Sequence, residues 1–406
     1  MKKDKLYRKN NPLVFGFVKL VSKILCKFVY NVKVVRNELK GSSGRRVLIA
    51  NHESAMDFYP AFLVLPWQSH MVVSNSIMKS MKICSLMEKC GAIGKNQFQT
   101  SISDMRRMKS VIDHGELLLL YPAGLMPAGG ASTPIPVATA EVLKWFGADI
   151  YVAKVSGTYM TKPKWSKVKR RGKITLDVYK LMSHEDYAEL SECEAQRLIE
   201  EHLGFDAYRN SEKNKVYFKN GDNVEGLENV LYKCPKCKKE YCMSVKNKNT
   251  LVCSRCGYEA VSDNYGLLRC TDGSEAIYKY PSDWYKFIEE SVLDEVKANR
   301  DFYMQTQAEI YKINEKKHEY ERAGEGSVGF NFDNFIIDGE IYGKEFHKEI
   351  HTASFPMLPF QPGERFEIQH GEDIFRIVPK DGRIVMKWIF TLGAVFNILH
   401  SEDNEQ

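Results

Sequence analysis

The first apolar stretch of the chain, residues 13–31 (LVFGFVKLVSKILCKFVYN), spaces Lys19, Lys23 and Lys27 four apart. On a helix these three fall within about 80° of one another, while Val14, Phe17, Val18, Val21, Leu25 and Phe28 take the opposite side. Asn11-Pro12 supplies a helix start after a basic and polar Met1 to Lys9. At roughly 28 Å such a helix is marginal for crossing a bilayer, and three lysines inside a span are costly. Residues 1–40 are therefore expected to form a basic amphipathic helix lying on a membrane surface. The competing expectation is a helix packed on the core of its own domain. Lysines interrupt any signal-peptide core here, and no small-residue cleavage site follows.

Two later runs, Val47-Leu48-Ile49-Ala50 and Leu117-Leu118-Leu119-Leu120-Tyr121, read as strands buried on both faces. The first stops at Asn51-His52-Glu53-Ser54-Ala55-Met56-Asp57. The second, entered through His114-Gly115-Glu116, stops at the turn Pro122-Ala123-Gly124. Ser183 through His202 reads as a helix with Ser183 as N-cap, residues 206–228 as a polar, Asn- and Gly-rich linker, and Ser282 to Lys297 as a helix. Beyond residue 300 the pattern alternates: Phe302–Tyr311 and Gly329–Phe332 suggest strands, and residues 366–378 a hairpin. Ile384 through Leu399 fits a closing helix that contains Lys387, Trp388 and Phe396 and is broken by Lys387, Thr391 and Asn397, hence amphipathic rather than spanning. Repeats, low-complexity tracts and sustained heptads are absent from the sequence.

His52 and Asp57 are the first candidate chemistry. An imidazole at a strand's end is open to a substrate hydroxyl and can be oriented by a carboxylate. Five residues apart on an unbroken helix the two side chains would point roughly 140° apart, so the chain must turn between them. The bland alternative is a loop histidine followed by a helix-start acid. The second strand end argues for a shared edge instead.

The block NHESAMD (residues 51–57) matches the NHxxxxD block of the lysophospholipid acyltransferase family, which the sequence resembles over roughly residues 10 to 205. Tyr121-Pro122-Ala123-Gly124 lies where that family carries Phe-Pro-Glu-Gly, after an amphipathic segment beginning Ser103-Asp104-Met105-Arg106-Arg107-Met108. Gly91-Ala92-Ile93-Gly94-Lys95 is similar to the intervening block, which usually ends in Arg, and Ala153-Lys154-Val155 replaces an apolar-Pro block. The resemblance implies an α/β acyltransferase domain with a mixed central sheet. It also implies transfer of a fatty acyl group from an acyl-CoA or acyl carrier protein thioester to the hydroxyl of a 1-acylglycerol-3-phosphate-like lysophospholipid, in phospholipid synthesis or remodelling.

His52 would then be the general base, and Asp57 would hold its tautomer and stabilise the imidazolium, with no covalent intermediate. Lys95, Tyr121, Pro122, Ala123 and Gly124 would line the substrate site, with backbone donors near Pro122-Ala123-Gly124 facing the oxyanion. Ser54 reads as a capping or packing residue. Lys95 offers a phosphate a point charge but not the bidentate fork of Arg. Ala123 in place of Glu supports a rival from another class, a catalytically weak adaptor that assembles lipid-synthesis proteins at the membrane.

Cys234-Pro235-Lys236-Cys237, fifteen residues, and Cys253-Ser254-Arg255-Cys256 form a pair of CxxC knuckles that resembles a zinc ribbon. Four thiolates leave no open coordination position, so the zinc is expected to be structural. Cys242 and Cys270 remain alternative ligands, and a redox dithiol is the competing reading of one CxxC. Lys233, Lys236, Lys238, Lys239, Lys246, Lys248 and Arg255 either solubilise the ribbon or dock an acidic partner, such as an acyl carrier protein or the membrane. The run 162–173 carries seven cations and Trp165, a solvated loop or a contact for anionic head groups with Trp165 at the interface.

At 406 residues several domains are expected: 1–40, the surface helix; 41–205, the acyltransferase domain; 206–228, the linker; 229–270, the ribbon; 271–300, a connecting helix; and 301–406, antiparallel β closed by a helix. The last resembles the pleckstrin-homology-like class in architecture alone. A net charge of +6 is too modest to mark a nucleic-acid protein, and ten cysteines without a secretory signal suit a reducing compartment. The expected location is cytoplasmic, peripheral at the inner face of the membrane.

Overall fold

The computed structural model describes residues 6–97, 101–355, 357–371 and 373–403. Two compact units divide the chain: Met1–Pro163 with Lys169–Gly221, and Lys164–Val168 with Asp222–Gln406.

The first unit begins with α1 (Pro12–Phe28), β1 (Val32–Asn37), β2 (Arg46–Ala50), α2 (Phe58–Val64) and β3 (Ser69–Ser74). It continues through α3 (Asn75–Ser80), α4 (Cys84–Lys89), β4 (Ala92–Lys95), α5 (Ile102–Asp113), β5 (Leu117–Leu120) and α6 (Ala138–Phe146). It ends with β6 (Asp149–Ser156), α7 (Thr158–Thr161), β7 (Ile174–Met182), α8 (His184–Glu189), α9 (Glu192–Leu203) and α10 (Ala207–Lys213). Seven strands form one mixed sheet in the order β1-β7-β6-β2-β5-β3-β4, parallel at every pairing except β6 with β7.

β2 runs between β5 and β6, with every residue buried. Its alternating side chains explain the continuous apolar run: Leu48 packs with Phe15, Phe62 and Leu119 on one face, Val47 and Ile49 with Met108, Phe146 and Ile199 on the other. Full burial of each such side chain contributes about 1.5–3 kcal/mol.

Asn11 caps α1 as its sequence predicts, accepting from the N–H groups of Leu13 and Val14, with Pro12 in the first turn. The faces differ from expectation. Phe15, Ser22 and Cys26 are the buried strip, Phe15 lying 5.1 Å from the Phe62 ring. Lys19 turns toward the domain, its Nζ donating to Leu65 O at 2.5 Å. Leu13, Phe17, Leu20, Ile24 and Phe28 are exposed. The helix is apolar on more than one side, so the lysine spacing alone misassigns which side docks.

The helix read through residues 183–202 is two. Ser183 does cap α8, but Ser191 starts α9 with a full capping box to Glu194, which breaks the run between them. Within 206–228, read as a linker, Asp206 caps α10 and Tyr208 is buried, its ring 5.7 Å from that of Tyr159. Phe218 is buried as well, packed against Gly172, so two aromatics in a polar window anchor the segment.

The second unit holds β8 (Met243–Lys246), β9 (Thr250–Cys253), β10 (Glu259–Ser262) and β11 (Leu268–Cys270), paired β11-β10-β9-β8. α11 (Pro281–Ala298) follows, and its Trp284 Nε1 donates to Lys233 O at 2.8 Å. Then come β12 (Met304–Asn314), β13 (Glu319–Phe330), β14 (Asn334–Ile341), β15 (Lys344–His351), β16 (Phe360–Gln361), β17 (Arg365–His370), β18 (Asp373–Pro379) and α12 (Val385–Asp403). The antiparallel order is β15-β14-β13-β12-β18-β17-β16. The expected hairpin is β17–β18, with Glu372 at its turn outside the described residues.

Gly382–Ser401, within and just before α12, is the one stretch among the described residues long and apolar enough to cross a membrane, but more than half of it is buried in the fold. Trp388 sits 5.1 Å from the Phe330 ring and 5.6 Å from that of Phe366. α12 is thus the core helix that closes the sheet.

Two expected surface features are interior. Lys233, read with the ribbon's exposed cations, is 7% exposed, its Nζ donating to Ser291 Oγ at 2.5 Å and Glu295 Oε1 at 2.7 Å. Glu295 also pairs with Lys387, which bonds Glu240 at 2.9 Å. Trp165 is 4% exposed, packed where a side chain on Gly226 would collide with its backbone, so it is no interfacial anchor. Arg170 is also buried, and Lys164 stands 3.6 Å above the Phe360 ring, where burial pushes its ammonium down to about 7. A run of like charges reads as solvated only until its individual side chains find partners.

Candidate active site

β2 ends where the Asn51 side chain replaces a strand. Its Nδ2 donates to Val155 O and its Oδ1 accepts from Val155 N–H, both at 2.8 Å. The amide completes the edge facing β6, which frees the backbone to turn. Asp57 then draws the turn onto itself: Oδ2 accepts from Glu53 N–H at 2.8 Å, Ser54 N–H at 2.9 Å and His52 Nδ1 at 2.8 Å. Its Oδ1 accepts from Thr158 Oγ1 at 2.5 Å. Asp57 stands at the N-cap position of α2, as the bland reading has it, but its side chain makes no cap bond there and turns to the loop and to His52 instead. The turn brings together what an unbroken helix would hold apart.

The proton assignment follows from the bonding. A carboxylate at 2.8 Å from Nδ1 places the proton there and leaves the Nε2 lone pair free. Nε2 has no hydrogen-bond partner among the described residues. The His52 side chain is 21% exposed and that of Asp57 2%, so the base faces outward while its orienter is shielded from water. Ser54 is a packing residue as expected, its Oγ donating to Lys162 O at 3.1 Å.

Because β2, β3, β4, β5 and β6 run parallel, their C-terminal ends share one edge, where open α/β sheets bind ligands. Tyr121 leaves β5 there with its ring 4.6 Å from that of His52. Burial, reinforced by Asp57, raises the Tyr121 phenol above its ordinary range and keeps it neutral. The turn closes with Gly124 N–H donating to Tyr121 O at 3.0 Å, Gly124 having φ +68°. Pro122 has no N–H and that of Gly124 is used, so Ala123 supplies the one N–H the turn can offer an oxyanion. Lys95 ends β4, its Nζ donating to Asn96 O at 3.1 Å, and burial lowers its ammonium despite Asp104.

Sequence reading missed Thr158, Glu53 and Gln97. Gln97 ties the strand exits together: its Nε2 donates to Gly124 O at 2.7 Å and its Oε1 accepts from Ser74 Oγ at 3.1 Å. Val155-Ser156-Gly157 before Thr158, an apolar run stopping at glycine, was the signal available for that loop.

Residues 30–152 match the Acyltransferase family model. The dyad therefore lies within the segment that matches the acyltransferase model. A crystal structure of the 1-acyl-sn-glycerophosphate (LPA) acyltransferase PlsC from Thermotoga maritima is similar at 16% identity over 50% of this chain and 79% of that one, with a TM-score of 0.42. No curated protein sequence matches the chain.

The second unit holds four sulfurs, of Cys234, Cys237, Cys253 and Cys256, within 4.8 Å of one another. Cys234 to Cys256 and Cys237 to Cys253 both measure 3.7 Å. A tetrahedron with metal–sulfur bonds of about 2.3 Å has edges of about 3.8 Å, so this donor set can hold a metal ion. Each knuckle turns at a left-handed residue: Lys238 (φ +63°) donates to Cys234 O and Gly257 (φ +69°) to Cys253 O, both at 3.0 Å. Cys270 points elsewhere, to Glu275 O at 3.4 Å, whereas Cys242, with its Sγ on Lys239 O at 3.1 Å, also comes within 3.5 Å of the Cys253 sulfur and stands beside the four.

Proposed function

We propose that this chain is a membrane-surface acyltransferase that moves a fatty acyl group from a thioester donor, acyl-CoA or acyl carrier protein, to the hydroxyl of a lysophospholipid. One observation carries the reading: a His52–Asp57 pair with four hydrogen bonds on the carboxylate and an open Nε2, inside the segment that matches the acyltransferase model. In this mechanism Nε2 takes the acceptor's hydroxyl proton as its oxygen attacks the thioester carbonyl. The carbon–oxygen bond forms, the oxyanion faces the Ala123 N–H, and collapse breaks the carbon–sulfur bond. The departing thiolate recovers the proton from the imidazolium, whose charge Asp57 has stabilised. Lys95, at the same strand edge, offers the acceptor's phosphate a cation.

Mass-spectrometric product analysis tests this. Purified protein is incubated with liposomes, a panel of lysolipids and both CoA and carrier-protein thioesters, beside His52→Ala. A diacyl product lost in the variant supports the enzyme and names its acceptor. Absence of product across the panel, with membrane binding intact, favours the adaptor, the reading that Ala123 in place of Glu suggests.

The membrane contact is assigned to the exposed stripe of α1, Leu13, Phe17, Leu20, Ile24 and Phe28, with Lys23 and Lys27 also exposed. Leu20→Glu is expected to lower partitioning onto anionic vesicles at least about tenfold, because one large apolar side chain contributes about 1.5–3 kcal/mol on burial. Unchanged cosedimentation would remove α1 as the anchor. The proposed location is the cytoplasmic face, where a reducing compartment suits a four-thiolate metal cluster. The four-cysteine cluster is assigned a structural zinc. The strand order with its closing helix supports a pleckstrin-homology-like module in the second unit.

A further inference from the structure

Glu53, next to the base, serves both loops of the site. It is 1% exposed. Its backbone N–H donates to Asp57, while its side chain crosses to the exit of β6, where Oε2 accepts from Gly157 N–H at 2.9 Å and Tyr159 N–H at 3.1 Å. Thr158 Oγ1 lies 3.2 Å from the same oxygen and 2.5 Å from Asp57 Oδ1. The corner requires glycine: Gly157 has φ +100°, and a Cβ there would sit 2.7 Å from Lys173 O.

We propose that Glu53 is a positioning residue of the dyad: as a neutral acid it clamps the Gly157–Tyr159 corner, so that Thr158 holds Asp57 and Asp57 is the one anion against His52. This rests on the acyl-transfer reading above.

The neutral form follows from the surroundings. Oε1 is buried without a hydrogen-bond partner among the described residues, so an anion would leave one charged oxygen bare in the interior. Burial, then the Asp57 charge, push the carboxyl up to about 8 against the pull of the Tyr159 and Gly157 N–H groups and the Thr158 hydroxyl. The charged and titratable groups facing this network are Asp57 and His52 on its own loop, Tyr121 from β5 and Lys154 from β6, whose ammonium burial lowers. Ionisation above about pH 8 therefore sets a second anion against Asp57, and the repulsion opposes the clamp.

A carboxyl raised in the folded state lets the unfolded chain release its proton first, so stability falls as pH rises from the unfolded value of about 4.3 and levels off above about 8.

The test has one arm independent of turnover. In the full chain, the ¹³C carboxyl resonance of Glu53, assigned by its loss in Glu53→Gln, is expected to titrate near 8 and to move down in Asp57→Asn. A midpoint in the ordinary carboxylate range overturns the proposal. In the kinetic arm, Glu53→Ala is expected to lose at least about 10-fold in kcat with KM little changed. Glu53→Gln should recover most of that loss and lack the wild-type fall above pH 8. A wild-type alkaline limb in Glu53→Gln, or wild-type kcat in Glu53→Ala, overturns it. Should Glu53→Ala not fold, Thr158→Val reads the same clamp: its kcat should drop with KM little changed, and wild-type kcat overturns the proposal. The expected resonance with no turnover on any thioester would instead sink the acyl-transfer reading and leave the clamp standing.

Discussion

His52→Ala is expected to reduce kcat for acyl transfer by about 10³–10⁴-fold while leaving KM for the thioester within a few fold. The size follows from what is lost. Without Nε2 the acceptor must attack as a neutral alcohol or lose its proton to water, and the leaving thiolate has no imidazolium to protonate it. The fold should survive, because Asp57 keeps the Glu53 and Ser54 N–H groups and the Thr158 hydroxyl, three of its four hydrogen bonds. The side chain removed is partly exposed, so the cavity term is small. Initial rates across donor concentrations, with the melting temperature measured alongside, check both halves. Turnover within tenfold of wild type, the fold being intact, would mean that another group takes the proton. Asp57→Asn offers a comparison: the amide cannot accept the Nδ1 proton and both loop N–H groups in the same way, so it should fall nearly as far through the wrong tautomer.

The half of this site written in one block was legible, and the half written across the sheet was not. Asn51, His52 and Asp57 fall within seven residues of strand exit and turn, so an apolar run ending at Asn-His already implied their proximity. Thr158 and Gln97 reach the same edge only because β6 and β4 lie parallel in the same sheet as β2, and strand order across crossovers leaves no local pattern. Glu53 failed for another reason: a carboxyl in a loop reads as solvated, and nothing local reports 1% exposure.

Lys233 and Trp165 misled in the same manner, since charge and aromaticity were assigned to the surface by composition while their partners, Glu295 and Gly226, stand about 60 residues away in sequence. The helix read through 183–202 is divided by a capping box that the sequence displays as Ser191 and Glu194, set inside a run whose residues on both sides favour helix. The hairpin at β17–β18 and the closing α12 were legible because alternation and a long apolar run are local signals.

With the proposed zinc in the four-cysteine cluster, its removal is expected to unfold β8–β11 and much of what leans on them. Zinc bound by four thiolates contributes on the order of 10 kcal/mol to folding such a site. Against that, the sheet β8–β11 has a small core of its own, with Leu251, Ala260 and Leu268 buried, and its strands are three or four residues long. The effect should spread through Lys233, whose backbone oxygen accepts from Trp284 on α11 and whose ammonium meets Glu295 there. If the Cys234 knuckle opens, Lys233 immediately before it loses its fixed place, and the buried Trp284 becomes a reporter. Metal analysis is expected to give one zinc per chain, and a strong chelator should lower the melting temperature of the second unit by roughly 10 °C or more, since about 1 kcal/mol is worth 2–4 °C in a domain of this size. Near-ultraviolet dichroism should fall together with the Trp284 environment, and Cys237→Ser should behave like the chelated protein. Cobalt in place of zinc should restore the melting temperature and show the absorption of a tetrahedral thiolate site, which a dithiol redox pair would not. Protein that contains no metal as purified and melts identically with and without chelator would remove the structural zinc and return the two CxxC pairs to redox chemistry.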